Sequence, residues 1–161
     1  LEVTPLTDLE LILDRLKQAA LWLQENKINY WQNWLDPETL YVQWIEEGIK
    51  DKQFFEVKYN QIWLAMFRLQ WSDEMFWGKQ DIPAGYLHSF TTNRQLRGQR
   101  IGSLILDWIS DYCRQSGKEY LRLDCGTAIT GLCKYYQDQG FELRGEITLY
   151  DDLLSLFQKK I

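Results

Sequence analysis

The chain has 161 residues, 45% of them hydrophobic and 25% charged, a folded globular composition that excludes disorder and fits one domain over 1–161. Eighteen basic against twenty-three acidic residues leave a net charge of −5, so the basic footprint of a nucleic-acid partner is missing. Three cysteines without CxxC spacing and a single histidine argue against a structural metal site and fit a reduced, cytoplasmic setting; no apolar run approaches the roughly 20 residues of a membrane span.

A short strand fits 2–6. Over 7–25, Leu9, Ile12, Leu13, Leu16, Ala20 and Leu23 recur at three and four residues, which predicts an amphipathic helix, with Thr7 and Glu10 at capping-box spacing. Asp36 and Pro37 open a second helix whose apolar side holds Leu40, Val42, Trp44, Ile45 and Ile49. The joining segment carries Tyr30, Trp31 and Trp34. The period then falls to two: 53–59 and 62–71 read as a hairpin about Asn60 and Gln61. Residues 72–84 read as loop, 85–92 as a strand, and 93–99 as a basic turn. Ile101, Leu104, Ile105, Trp108, Ile109, Tyr112 and Cys113 form the stripe of a helix stopped at Gly117. A buried strand over 119–125, a helix over 130–139 ended by Gly140, and a strand over 141–149 follow; 151–161 fits a helix or a strand. The order predicts an α/β (α+β) fold around a sheet containing both kinds of pairing.

The segment from Tyr86 to Ser103 carries the chemistry: strand, loop rich in Arg and Gly, then a helix at once. Unpaired N–H groups and the macrodipole at a helix start attract anions, and a pyrophosphate suits such a site. Gly98 and Gly102 admit a close ligand, and Arg94, Arg97 and Arg100 add positive charge. Neither a Walker A loop nor a G-x-G-x-x-G fingerprint is present.

Arg97-Gly98-Gln99-Arg100-Ile101-Gly102 resembles the Arg/Gln-x-x-Gly-x-Gly/Ala motif of the GNAT superfamily of N-acetyltransferases. LCKYYQDQGF, from Leu132 to Phe141, resembles that family's late signature, an aromatic-Tyr pair ending in Gly-Phe. The match is best over 84–141. It implies a mainly antiparallel sheet of about six or seven strands flanked by about four helices. It also implies acetyl transfer from acetyl-CoA to a primary amine by direct attack, without a metal. Arg97, Gly98, Gln99, Arg100, Ile101, Gly102 and Ser103 would receive the CoA pyrophosphate, and backbone at Phe90 and Thr92 the pantetheine arm. Tyr136 would protonate the leaving thiolate. Two positions depart from the family pattern. Arg100 stands for the motif's first glycine and is expected to keep a negative φ with its side chain turned away; Ile129 replaces an asparagine that contacts the cofactor.

The attacking amine must be neutral, so a base is required. His88, on the strand leading to the cradle, is the first candidate, with Asp73 and Glu74 as alternatives. Cys125 and Cys133 read as buried packing residues. Tyr30, Trp31, Trp34 and Trp44 read either as core or dimer-interface packing, which allows a homodimer, or as an aromatic slot for a small-molecule or protein amine. The alternative functions are a CoA-binding module without catalysis, motivated by Arg100 and Ile129, and an interaction protein built on the tryptophan-rich half.

Overall fold

A computed structural model describes residues 1–161. The strands are β1 Glu2–Pro5, β2 Phe54–Tyr59, β3 Ile62–Gln70, β4 Ala84–Thr92, β5 Tyr120–Gly126, β6 Glu142–Leu149 and β7 Asp152–Lys160. They form one sheet in the order β1-β2-β3-β4-β5-β7-β6. The helices are α1 Leu9–Glu25, α2 Thr39–Lys50, α3 Glu74–Trp77, α4 Ile101–Gln115 and α5 Thr130–Asp138, with single 3-10 turns at Gln32–Leu35 and Arg94–Leu96. This is the mixed, mainly antiparallel architecture expected, at seven strands. The chain forms two compact units, Leu1–Arg68 with Ser89–Ile101, and Leu69–His88 with Gly102–Ile161.

In the first unit, Asp8 rather than Thr7 caps α1: its carboxylate accepts from the Leu11 N–H at 3.1 Å. The cap also places negative charge at the positive end of the helix. Ile12, Leu16 and Ala20 from α1 pack with Trp34, Ile45 of α2, Phe54 and Met66. Burying each of the larger side chains contributes about 1.5–3 kcal/mol. Helix α2 begins after Glu38 instead of Asp36, because Asp36 closes the preceding 3-10 turn with φ −148° and ψ 79°, and the extended Glu38 is the residue that leads into the helix. Trp34 is buried edge-on to Tyr41, and Trp44 edge-on to Phe54, so these two rings belong to packing. Asn60 and Gln61 both have positive φ, 48° and 65°, as a two-residue hairpin turn requires. Arg68 is 4% exposed yet satisfied: it donates to Gln53 Oε1 and to the Trp44 carbonyl, and its guanidinium lies 4.0 Å from the Trp44 ring centre.

In the second unit, α4 buries Ile105, Leu106, Ile109 and Cys113. It lies so close to β4 that a Cβ on Gly85 would stand 2.6 Å from the Cys113 sulfur. The ambiguous last segment is a strand. β7 pairs antiparallel with β5 from Tyr120↔Lys160 to Gly126↔Leu154 and with β6 on its other side. Its four consecutive buried residues, Leu154 to Phe157, are what a central strand carries. Residues 72–84 are not wholly loop: the single turn α3 sets Phe76 against His88 and Trp77 against Tyr86. β4 and β5 run parallel from Ala84↔Tyr120 to Leu87↔Leu123. His88 and Asp124 are therefore the first residues past their shared ladder.

Candidate active site

The cradle is local backbone. Arg97, Gly98, Gln99 and Arg100 are exposed, and α4 starts at Ile101. Gly98 has φ +86° and nothing within 4 Å of where its Cβ would be, leaving open approach for an anion. Arg100 does not keep a negative φ. It adopts φ +58°, a left-handed conformation that favours glycine. The cradle thus keeps its glycine-type course with an arginine in it, at a cost of roughly 1–2 kcal/mol. Arg94 lies 4.1 Å over the Trp22 ring of α1, and Arg97 5.9 Å from the same ring. A cavity of about 390 Å³ beside them takes in Arg15, Trp22, Trp63, Thr92 and Arg94. Among the cradle residues of the resemblance, Ile101, Gly102 and Ser103 form the first turn of α4, where N–H groups lack helical partners.

A second constellation gathers at the end of the β4–β5 ladder. His88 Nε2 is 2.7 Å from Asp73 Oδ2, and His88 Nδ1 is 3.5 Å from Asp124 Oδ1. All three side chains are nearly buried, at 9%, 6% and 11% exposure. Phe76 covers the imidazole with ring centres 4.8 Å apart. Asp124 Oδ1 has no hydrogen-bond partner. Burial pushes the Asp124 carboxyl up to about 6; His88 pulls it back and Asp73 pushes it further up. Directly after His88, Ser89 has φ +53°, left-handed backbone inside the strand. Arg122, on the same face of β5 as Asp124, donates to the Tyr86 hydroxyl at 2.9 Å and to Gln158 at 3.1 Å.

The two neighbouring tyrosines of α5 face different ways. Tyr136 is 8% exposed, with its ring against Phe141 and Phe157. The Tyr135 hydroxyl hydrogen-bonds Ser103 and lies against Gly102, where an added Cβ would collide with it. Burial raises the Tyr135 pKa, Ser103 lowers it and Asp107 raises it, so this phenol holds its proton.

The model of the acetyltransferase (GNAT) family matches residues 16–141, most of the chain. This chain belongs to the GNAT acetyltransferase family. It is an acyltransferase. An acetyltransferase of the family from Listeria monocytogenes 4b F2365 superposes with a TM-score of 0.78 at 21% identity, covering 99% of this chain and 94% of that one. One from Streptococcus agalactiae 2603 gives 0.77 at 13%, covering 99% and 95%. The PaiA N-acetyltransferase from Thermoplasma acidophilum, solved with coenzyme A, gives 0.70 at 17%, covering 99% and 98%. No curated protein sequence matches the chain.

In this GNAT chain the structure sets the sequence-derived site residues in several places. Arg97 to Ser103 form one continuous turn into α4, Phe90 and Thr92 end β4, His88 stands at the strand fork, and Tyr136 lies among aromatic rings. Asp73 meets His88; Glu74 is exposed at the start of α3. The sequence reasoning missed Asp124 and Tyr135. Asp124 carried a usable signal, as an acidic residue inside an otherwise buried strand. No helix is long and apolar enough to cross a membrane, and no group of three or more His, Cys, Asp or Glu side chains is arranged to hold a metal ion.

Proposed function

We propose that this protein acetylates a primary amine by direct attack. The cradle carries the reading: Gly98 and Arg100 both hold left-handed backbone immediately before the first turn of α4. That course leaves N–H groups of Ile101, Gly102 and Ser103 for the pyrophosphate, with Arg97 adding charge. Acetyl-CoA, when bound, supplies the activated acyl group. Backbone at Phe90 and Thr92 receives the pantetheine arm, as the resemblance implies. His88 takes the proton that the acceptor must lose. Asp73 fixes the imidazole by accepting from Nε2–H, which makes Nδ1 the nitrogen assigned to take the proton. Tyr136, at the motif position, returns a proton to the leaving sulfur. Tyr135 is a second candidate for that step, because its hydroxyl touches the cradle residues Gly102 and Ser103.

Titration calorimetry with acetyl-CoA, desulfo-CoA and ATP tests the reading. One-site binding of both CoA compounds without ATP binding supports it; no binding at millimolar acetyl-CoA, weaker than about −4 kcal/mol, rejects it. Turnover on a panel of amines separates the enzyme from a CoA-binding module. Tyr136→Phe and Tyr135→Phe, compared for turnover with binding retained, assign the acid to one tyrosine.

A further inference from the structure

Acetyl transfer gives no part to the cysteines, yet two of the three touch. Cys125 Sγ, near the end of β5, lies 3.3 Å from Cys133 Sγ in the first turn of α5. We propose that Cys125 and Cys133 are an oxidation site: a hydroperoxide joins them in a disulfide, and the bond weakens acetyl-CoA binding by moving α5 at the cradle. The effect on acetyl-CoA rests on the acetyl-transfer reading; the disulfide does not.

The two sulfurs need little travel. A disulfide holds its sulfurs at about 2.04 Å, so closure asks for roughly 1.3 Å. The two residues are eight apart in the chain, which turns from strand into helix between them. The strand side of that turn is pinned to β7: the Thr127 N–H donates to the Leu153 carbonyl at 3.0 Å, and the Thr127 and Ser155 hydroxyls are 2.8 Å apart. The helix side therefore supplies the movement.

The pair also divides the labour. Cys125 is fully buried, whereas Cys133 is half-buried and is the sulfur a small oxidant can reach. Cys133 donates to the Gly126 carbonyl at 3.5 Å, which leaves the Cys125 S–H to donate to the Cys133 sulfur. Burial pushes the Cys125 thiol up, and its hydrogen bond to Cys133 raises it further. Cys125 thus keeps its proton and stays inert until its neighbour is oxidised. Cys133 has leverage as well. It stands two residues before Tyr135, whose hydroxyl hydrogen-bonds Ser103 and lies against Gly102. Drawing the first turn of α5 toward β5 carries that hydroxyl across the first turn of α4.

The chemistry balances with the hydroperoxide as oxidant. The Cys133 thiolate attacks one peroxide oxygen, the O–O bond breaks, and a sulfenic acid forms as hydroxide leaves. The proton that Cys133 gave up completes the first water. The Cys125 sulfur then attacks the Cys133 sulfur; the S–S bond forms, the S–O bond breaks, and the Cys125 proton leaves with the hydroxide as a second water. Two thiols lose two electrons and hydrogen peroxide gains them. A dithiol reverses the bond by exchange.

The test treats the whole protein with hydrogen peroxide. Thiols are mapped by alkylation and mass spectrometry, and acetyl-CoA affinity is measured by calorimetry before oxidation, after it, and after dithiothreitol. Wild type is expected to lose two hydrogens, to link Cys125 to Cys133 within one chain, and to keep Cys113, buried in α4, as a thiol. Its acetyl-CoA dissociation constant should rise roughly tenfold, as a displacement near 1 Å at a binding site can cause, and return on reduction. Cys133→Ser should keep its affinity under peroxide. Cys125→Ser should stop at a sulfenic acid on Cys133, trapped by dimedone. A pair that stays reduced, a disulfide to Cys113 or between chains, or a Cys125–Cys133 bond with unchanged affinity overturns the proposal. If Cys125→Ser fails to fold, Cys133→Ser and the wild-type map decide. A reduced wild type that binds no acetyl-CoA marks failure of the acetyl-transfer reading instead, and the oxidation site then stands or falls on the map alone.

Discussion

The cradle before α4 and the fork at His88 are built on opposite principles. The cradle is one continuous stretch, exposed, made of backbone N–H groups and left-handed turns. It needs no distant partner, so its side chains can vary; an arginine even occupies the glycine position. The fork joins residues 73, 88 and 124 from three separate segments, nearly buried, with charge as its currency. There burial, His88 and Asp73 together set the proton affinity of Asp124, so a single atom exchanged should be felt. Binding at the first should tolerate substitution that preserves backbone, while chemistry at the second should not.

The largest expected effect is at the fork. His88→Gln should lower turnover by about 10²–10⁴-fold and flatten the acidic limb of the pH–rate profile, with CoA affinity kept. A surviving limb would move the base elsewhere. At the cradle, Gly102→Trp should displace Tyr135 and fill the first turn of α4, raising the acetyl-CoA dissociation constant by roughly 100-fold, about 2.7 kcal/mol, in calorimetry. Unchanged affinity would break the comparison at its first half.

A third test reads the fork without substrate. The Asp124 carboxyl is raised to about 6 from 3.8, so the folded protein keeps a proton that the unfolded chain has lost. Its contribution to stability is fully present below the unfolded value and is lost as pH rises through about 6. Urea unfolding should show that decline between pH 4 and 6 in wild type and a flatter dependence in Asp124→Asn. The smallest effect sharpens the cradle. Arg100→Gly relieves the left-handed strain and should raise stability by up to about 1 kcal/mol, whereas Arg100→Ala keeps the strain and should gain nothing.

Much of the fold was legible because periodicity is local. The stripe of α4 buries Ile105, Ile109 and Cys113 as its spacing predicts, with Leu104 left exposed; the alternation of β2 is broken, because Phe54 and Val57 are buried, Tyr59 is exposed and the register shifts between Val57 and Lys58. The helix α3 was not legible, since one turn offers no period to read, and it is what brings Phe76 to His88. The first helix showed its stripe but hid its cap: Thr7 and Asp8 both fit the sequence rule, and only the chain's entry angle selects Asp8. The rings of Trp34 and Trp44 could equally line a slot or a core, and burial against Tyr41 and Phe54 made them core.

Sequence alone determined what depends on neighbours along the chain: the helices and strands, the glycine-and-arginine turn, the Tyr-Tyr pair before Gly140-Phe141, and from these the family. Tertiary structure alone decided what depends on distance in space. It turned 152–160 into a central strand, set Arg100 left-handed, aimed the hydroxyl of Tyr135 at Gly102, and put Asp124 across the imidazole from Asp73. The reason is physical. Backbone propensity acts over a few residues, whereas proton affinity follows burial and facing charge, which exist only once the strands have met.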